Sequence, residues 1–79
     1  MKLSKAVSLK ILSICDEKNI SVNRLASICC LTQSTVQNLI AGKSKNPKML
    51  TIIRICEGLE IPIQDFFDDE LFKNIERED

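Results

Sequence analysis

Gln33, Ser34, Gln37 and Asn38 can each both donate and accept hydrogen bonds without carrying charge. Glutamine and asparagine can each pair in bidentate fashion with the N6 and N7 edge of adenine, and a serine hydroxyl accepts either kind of partner. Placed on a helix at 100° per residue, these four and Ala41 span an arc of about 140°, opposite Val36 and Leu39. A short, neutral, hydrogen-bonding face of this kind suits the base edges of a DNA major groove. Shortly after it come Lys43, Lys45 and Lys48, around Ser44, Asn46 and Pro47. A basic loop in that place is positioned to clamp phosphates, which fix register while base contacts specify sequence.

The elements that must hold this face are two short helices with a tight break between them, in the stretch from Val22 to Gly42. Leu25, Ala26 and Cys29 share one face of the first helix, residues 22–29, and Val36, Leu39 and Ile40 share one face of the second, residues 32–41. Thr32 and Ser21 stand where a hydroxyl caps a free backbone N–H. Ser21 and Asn23 also lie at a helix start, where free N–H groups favour an anion. Gly42 has the mark of a helix-terminating residue free to take a positive φ.

The rest of the chain reads as support. Val7, Ile11, Ile14 and Cys15 recur at helical spacing, which predicts a first helix over 4–18 with Ser4 as its N-cap. Pro47 favours a helix start, and a fourth helix is expected over 48–59, with Met49, Ile52, Ile53, Cys56 and Leu59 as its apolar stripe. Leu50 or Ile55 is then left over for a partner surface, and Gly58 followed by Leu59, Glu60 and Ile61 ends the helix. Pro62 opens a fifth helix over 62–68, in which Phe66 or Phe67 closes the core. Beyond it, Asp68, Asp69 and Glu70 precede Leu71, Phe72 and Ile75 as either a last amphipathic turn or a frayed end.

The ordered set Leu25-Ala26, Leu31-Thr32, Ser34-Thr35-Val36, Leu39 and Gly42 resembles the Xre/Cro helix-turn-helix pattern of phage-repressor-type DNA-binding domains. The resemblance continues through Gly42–Pro47, Thr51–Leu59, Ile61 and Asp65-Phe66-Phe67, and covers roughly residues 7–68. It implies an all-α, lambda-repressor-like bundle of five short helices, with the helix-turn-helix formed by the second and third. It also implies a homodimeric transcriptional regulator, a repressor, that binds a near-palindromic double-stranded operator. By resemblance Gln33, Ser34 and Asn38, with Gln37 beside them, read bases, while Ser21, Asn23, Thr32, Lys43, Lys45 and Lys48 hold phosphates. Phe67, Leu71 and Phe72 are the candidates for a dimer contact. The family usually has glycine in the turn; here Cys30 stands in that place, and a positive φ there would strain it by about 1–2 kcal/mol.

Composition sets limits on the alternatives. Seventy-nine residues make one small domain, a core of about 4–68 with an acidic tail over 69–79. Such a chain leaves little room for both a packed core and an enzyme cleft. The net charge is zero, yet residues 1–54 hold nine Lys/Arg against two acids and residues 55–79 hold two against nine. A basic face and an acidic end can therefore coexist. This acidic end supports a second reading, a protein-interaction module such as an antitoxin or a polymerase-binding regulator on a helix-turn-helix scaffold.

An enzyme is not expected, because there is no His, no nucleophile beside a base and no phosphate-binding glycine loop. The four cysteines, Cys15, Cys29, Cys30 and Cys56, lack metal-ligand spacing, and three fall at apolar helical positions. Neither a metal nor a cofactor is expected, and free thiols suit a reducing cytoplasm. The first fifteen residues mimic a lipoprotein leader, but Lys5 and Lys10 interrupt the apolar run and Ile14 is too large before a cleavage site. No membrane span is expected, since none of the apolar runs approaches about 18 residues.

Overall fold

The helical periodicities become five α-helices in the computed structural model, which describes residues 1–77: α1 Leu3–Lys18, α2 Val22–Ile28, α3 Gln33–Ile40, α4 Met49–Leu59 and α5 Ile63–Phe67. A 3-10 turn, Glu70–Phe72, follows, and there is no strand among the described residues. An isolated parallel bridge joins Lys2 to Glu76. The fold is all-α.

Apolar spacing explains the arrangement. Val7, Ile11, Ile14 and Cys15 of α1, Leu25 and Ala26 of α2 with Cys29 just beyond it, and Val36 and Leu39 of α3 enter one core with Ile52, Ile55, Cys56 and Leu59 of α4. Phe66 of α5 is fully buried among them. Its ring centroid lies 5.0 Å from that of Phe67 in an edge-to-face pair, and Phe67 repeats the arrangement with Phe72 at 5.0 Å. Offset and edge-on contacts are the favourable ones for aromatic quadrupoles. α1 lies against α3 and against the 3-10 turn, while α4 bridges α2 and α5.

The first four helices end in one way. Asn19, Cys30, Gly42 and Glu60 all take positive φ, at 56°, 56°, 69° and 58°. The next residue in each case returns an N–H to a carbonyl five positions back: Ile20 to Cys15, Leu31 to Ala26, Lys43 to Asn38 and Ile61 to Cys56, at 2.9–3.1 Å. This is the Schellman closure, which satisfies carbonyls that a helix end leaves open. Ile20, Leu31 and Ile61 also pack against the core, supplying the apolar contact that accompanies the motif.

Several expectations need correction. Ser4 is not the N-cap of α1; the extended residue before the helix is Lys2, whose carbonyl already accepts the N–H of Ala6 at 3.0 Å. α4 starts one residue later than expected, at Met49, with Lys48 as its N-cap. α4 ends at Leu59 as expected, with Glu60 in the left-handed conformation just beyond it, while Gly58 lies inside the helix against Cys29. The buried stripe of α4 is rotated from the expected one. Ile55 is fully buried, whereas Met49, Leu50 and Ile53 are exposed.

The 3-10 turn lies against α1, and its Phe72 packs against the core. Lys10 Nζ lies 2.8 Å from Asp69 Oδ2, and Asp69 Oδ1 accepts the N–H of Leu71 as an N-cap. The ammonium of Lys10 beside it, then the Leu71 N–H, hold the Asp69 carboxyl below its ordinary pKa. The expected acidic tail thus begins as a packed turn; Glu78 and Asp79 lie outside the described residues.

Candidate nucleic-acid interface

Two hydroxyl caps set the helices of the interface. Ser21 Oγ accepts the N–H of Arg24 at 3.1 Å and starts α2. Thr32 Oγ1 accepts the N–H of Thr35 at 3.2 Å and starts α3. It also lies 2.8 Å from Thr35 Oγ1, so the two threonines form a small closed cluster. A side-chain oxygen at this position satisfies one of the donors that the first turn leaves without a partner. Between the helices, Cys30 holds the left-handed conformation in which the family usually has glycine.

This turn sends α3 across the core with one face down and one face out. Val36 and Leu39 are buried, at 0% and 5% exposure. Thr32, Gln33, Ser34, Gln37, Asn38 and Ala41 are all exposed. The neutral amides and hydroxyls singled out by the sequence therefore form one continuous outward surface. Ser21, Asn23, Lys43, Lys45 and Lys48 are exposed as well.

The basic loop runs from Gly42 to the N-cap of α4, Lys48. Between it and α3 lies an open cleft of about 280 Å³ lined by Thr35, Asn38, Ser44, Asn46, Lys48 and Thr51 among others. This cleft brings Asn38 and Lys48, expected to act on base and phosphate respectively, onto one surface. Thr35, Ser44, Asn46 and Thr51, which are not among the expected contact residues, join them there. A threonine three residues after a threonine cap was the available signal for Thr35. No Asp or Glu occurs from Lys18 to Cys56, so the surface has basic side chains and no acid from its own segment. That is the electrostatic requirement for approaching a polyanion.

Phe67, Leu71 and Phe72 are all partly buried, and the two phenylalanines pack against the chain's own core. Among the described residues, no group of three or more His, Cys, Asp or Glu could hold a metal ion. All four thiols are free, and Cys30 is the exposed one. Burial, then the neighbouring Cys15, Cys30 and Cys56, push the Cys29 thiol up to about 11. It stays protonated at neutral pH and lies 3.7 Å from the Ile55 carbonyl, to which it donates. Such a thiol is a small core side chain and not a nucleophile. No helix among the described residues is long and apolar enough to cross a membrane.

The geometry is that of a helix-turn-helix domain. Residues 10–71 match the family model for the Cro/C1-type HTH DNA-binding domain. The chain belongs to that family, whose members bind DNA and regulate transcription. Its fold is also similar to the crystal structure of prophage Lp1 protein 11, with a TM-score of 0.82 and 34% sequence identity. The match covers 95% of this chain and 100% of that one. No curated protein sequence matches the chain.

Proposed function

We propose that this chain is a sequence-specific operator-binding protein that works as a homodimer and represses transcription by occupying its site. The observation that carries the reading is the unbroken exposed face of α3, Gln33, Ser34, Gln37 and Asn38, over buried Val36 and Leu39. In this reading α3 enters the major groove. Gln33, Ser34 and Asn38 approach base edges, and Gln37 lies along the groove. Ser21, Asn23, Thr32, Lys43, Lys45 and Lys48 hold phosphates on either side. No group-transfer chemistry is needed, because occupancy of the site is itself the output.

Two subunits would place two α3 helices in successive major grooves, roughly 34 Å apart, on a near-palindromic site. Phe67, Leu71 and Phe72 supply the proposed subunit contact with the apolar area they leave uncovered. The test is selection of bound genomic fragments by the purified protein, with sedimentation to read its size. Recovery of one motif in two inverted half-sites supports the proposal. Fragments with no shared motif would refute specific readout, and a monomer on a single half-site would refute the dimer.

A further inference from the structure

Ser8 is the one buried polar side chain among the described residues, at 5% exposure. It sits mid-way along α1, yet its hydroxyl donates to the carbonyl of Ile40, the last residue of α3. A helix leaves its last four carbonyls without partners of its own. In α3, Ala41 N–H takes the carbonyl of Gln37 at 2.9 Å, Lys43 N–H that of Asn38 at 3.1 Å, and Gly42 N–H that of Leu39 at 3.2 Å. The fourth, on Ile40, accepts from Ser8.

This bond differs in kind from the rest of the α1–α3 contact. Val36 and Leu39 anchor α3 by apolar packing, which is non-directional and tolerates a small roll or slide. A hydrogen bond weakens steeply when its angle is lost. The caps at Ser21 and Thr32 join residues of one turn to each other and do not tie α3 to the core. Asn38 lies two residues before the tied carbonyl, and the basic loop leaves two residues after it.

We propose that Ser8 is a positioning residue for base readout: its bond to Ile40 fixes the roll and depth of α3 on the globule. This rests on α3 reading bases, as proposed above. The expected signature follows from side-chain length. Short side chains such as Ser34 and Asn38 need a fixed backbone to meet a base edge, whereas lysines can follow a phosphate through a small shift. Loss of the tie should cut discrimination between sequences and leave general DNA affinity intact.

The experiment uses the full chain, a selected operator duplex and a scrambled duplex of equal length at one salt concentration. Ser8→Ala should lower the operator-to-scrambled affinity ratio about five- to tenfold, the scale of one hydrogen bond. Binding to the scrambled duplex should change less than about twofold. Ser8→Cys, a weaker donor of similar size, should fall between wild type and Ser8→Ala, and is the variant to read if Ser8→Ala does not fold. Ile14→Val, a core change beside Ile61 and Phe66, controls for stability; it should lower the melting temperature with the ratio unchanged. A Ser8 variant that melts lower but discriminates like wild type would overturn the proposal. So would an Ile14→Val that loses discrimination equally. Absence of discrimination by the wild type would instead overturn the readout itself, and with it the role of Ser8.

Discussion

Gly58 and Cys29 touch where α4 crosses the end of α2: a Cβ placed on the glycine would lie 2.6 Å from Cys29 Sγ and 3.0 Å from Cys29 Cα. The first contact involves a side chain but the second is backbone, so the clash cannot be relieved by a rotamer change alone. Gly58→Ala is expected to destabilise the fold by about 1–3 kcal/mol through overpacking, despite the better helix propensity of alanine. Adding Cys29→Ala should recover part of that loss, which a double-mutant cycle in urea would read. A Gly58→Ala protein as stable as wild type would show that the two helices can separate freely.

Cys30 holds a φ of 56°. A side chain there costs about 1–2 kcal/mol, while glycine adds about 0.5–1 kcal/mol of unfolded-state entropy. Cys30→Gly should therefore stabilise the fold by up to about 1.5 kcal/mol, visible as a higher urea midpoint. Asn19→Gly at the equivalent position of α1 should gain less, because asparagine tolerates this conformation. A lower midpoint for Cys30→Gly would mean that the cysteine side chain contributes packing that outweighs its strain.

Asn38→Ala is expected to weaken operator binding by about 1–3 kcal/mol and to relax preference at one base position. Competition against a panel of single-substitution duplexes is the measurement. Equal losses on operator and random DNA would remove Asn38 from base readout.

Lys43, Lys45 and Lys48 should give binding a steep salt dependence. Three phosphate contacts per subunit release about six counterions per dimer, a slope near −5 in log affinity against log salt. Replacing the three lysines by glutamine should flatten the slope and weaken all sequences alike. An unchanged slope would place the DNA backbone elsewhere.

The carboxyl of Asp69 is held below its ordinary pKa by the hydrogen bond from Lys10 and then by the Leu71 N–H. A carboxylate whose folded pKa is depressed stabilises the fold above its unfolded value of about 3.9. That contribution is lost as pH falls through the lower folded value. Asp69→Asn should thus lower stability at neutral pH and make the melting temperature less dependent on pH below about 4. Thermal melts across the acid range measure it; parallel curves for the two proteins would contradict the pairing.

Much of this architecture is visible in the chain before folding, and the exceptions have physical causes. α2 and α3 announce themselves because hydroxyl caps and a clean apolar period coincide there. α4 does not, since Met49–Cys56 is apolar nearly throughout. Stripes through Ile53 or through Ile55 are equally regular, and tertiary contact selects the second. The ends of α1 and α4 are legible, since the expected 4–18 and 48–59 stop at the observed Lys18 and Leu59, and asparagine is a usual residue for the left-handed position after a helix; the left-handed Glu60 is not, because the closure around it imposes that conformation. The exposed face of α3 was legible from residue type; the cleft beside it, which adds Ser44, Asn46 and Thr51, depends on how the loop folds back. Ser8 was hidden for the same reason: its partner is 32 positions away.

Of the four thiols, Cys15, Cys29 and Cys56 are enclosed and Cys30 faces solvent. A maleimide dye should therefore attach once per chain, in the turn two residues ahead of the Thr32 cap, with no engineering of the sequence. The molecule carries its own reporter position, and the arrival of a duplex could be watched in real time as a change in that dye's emission.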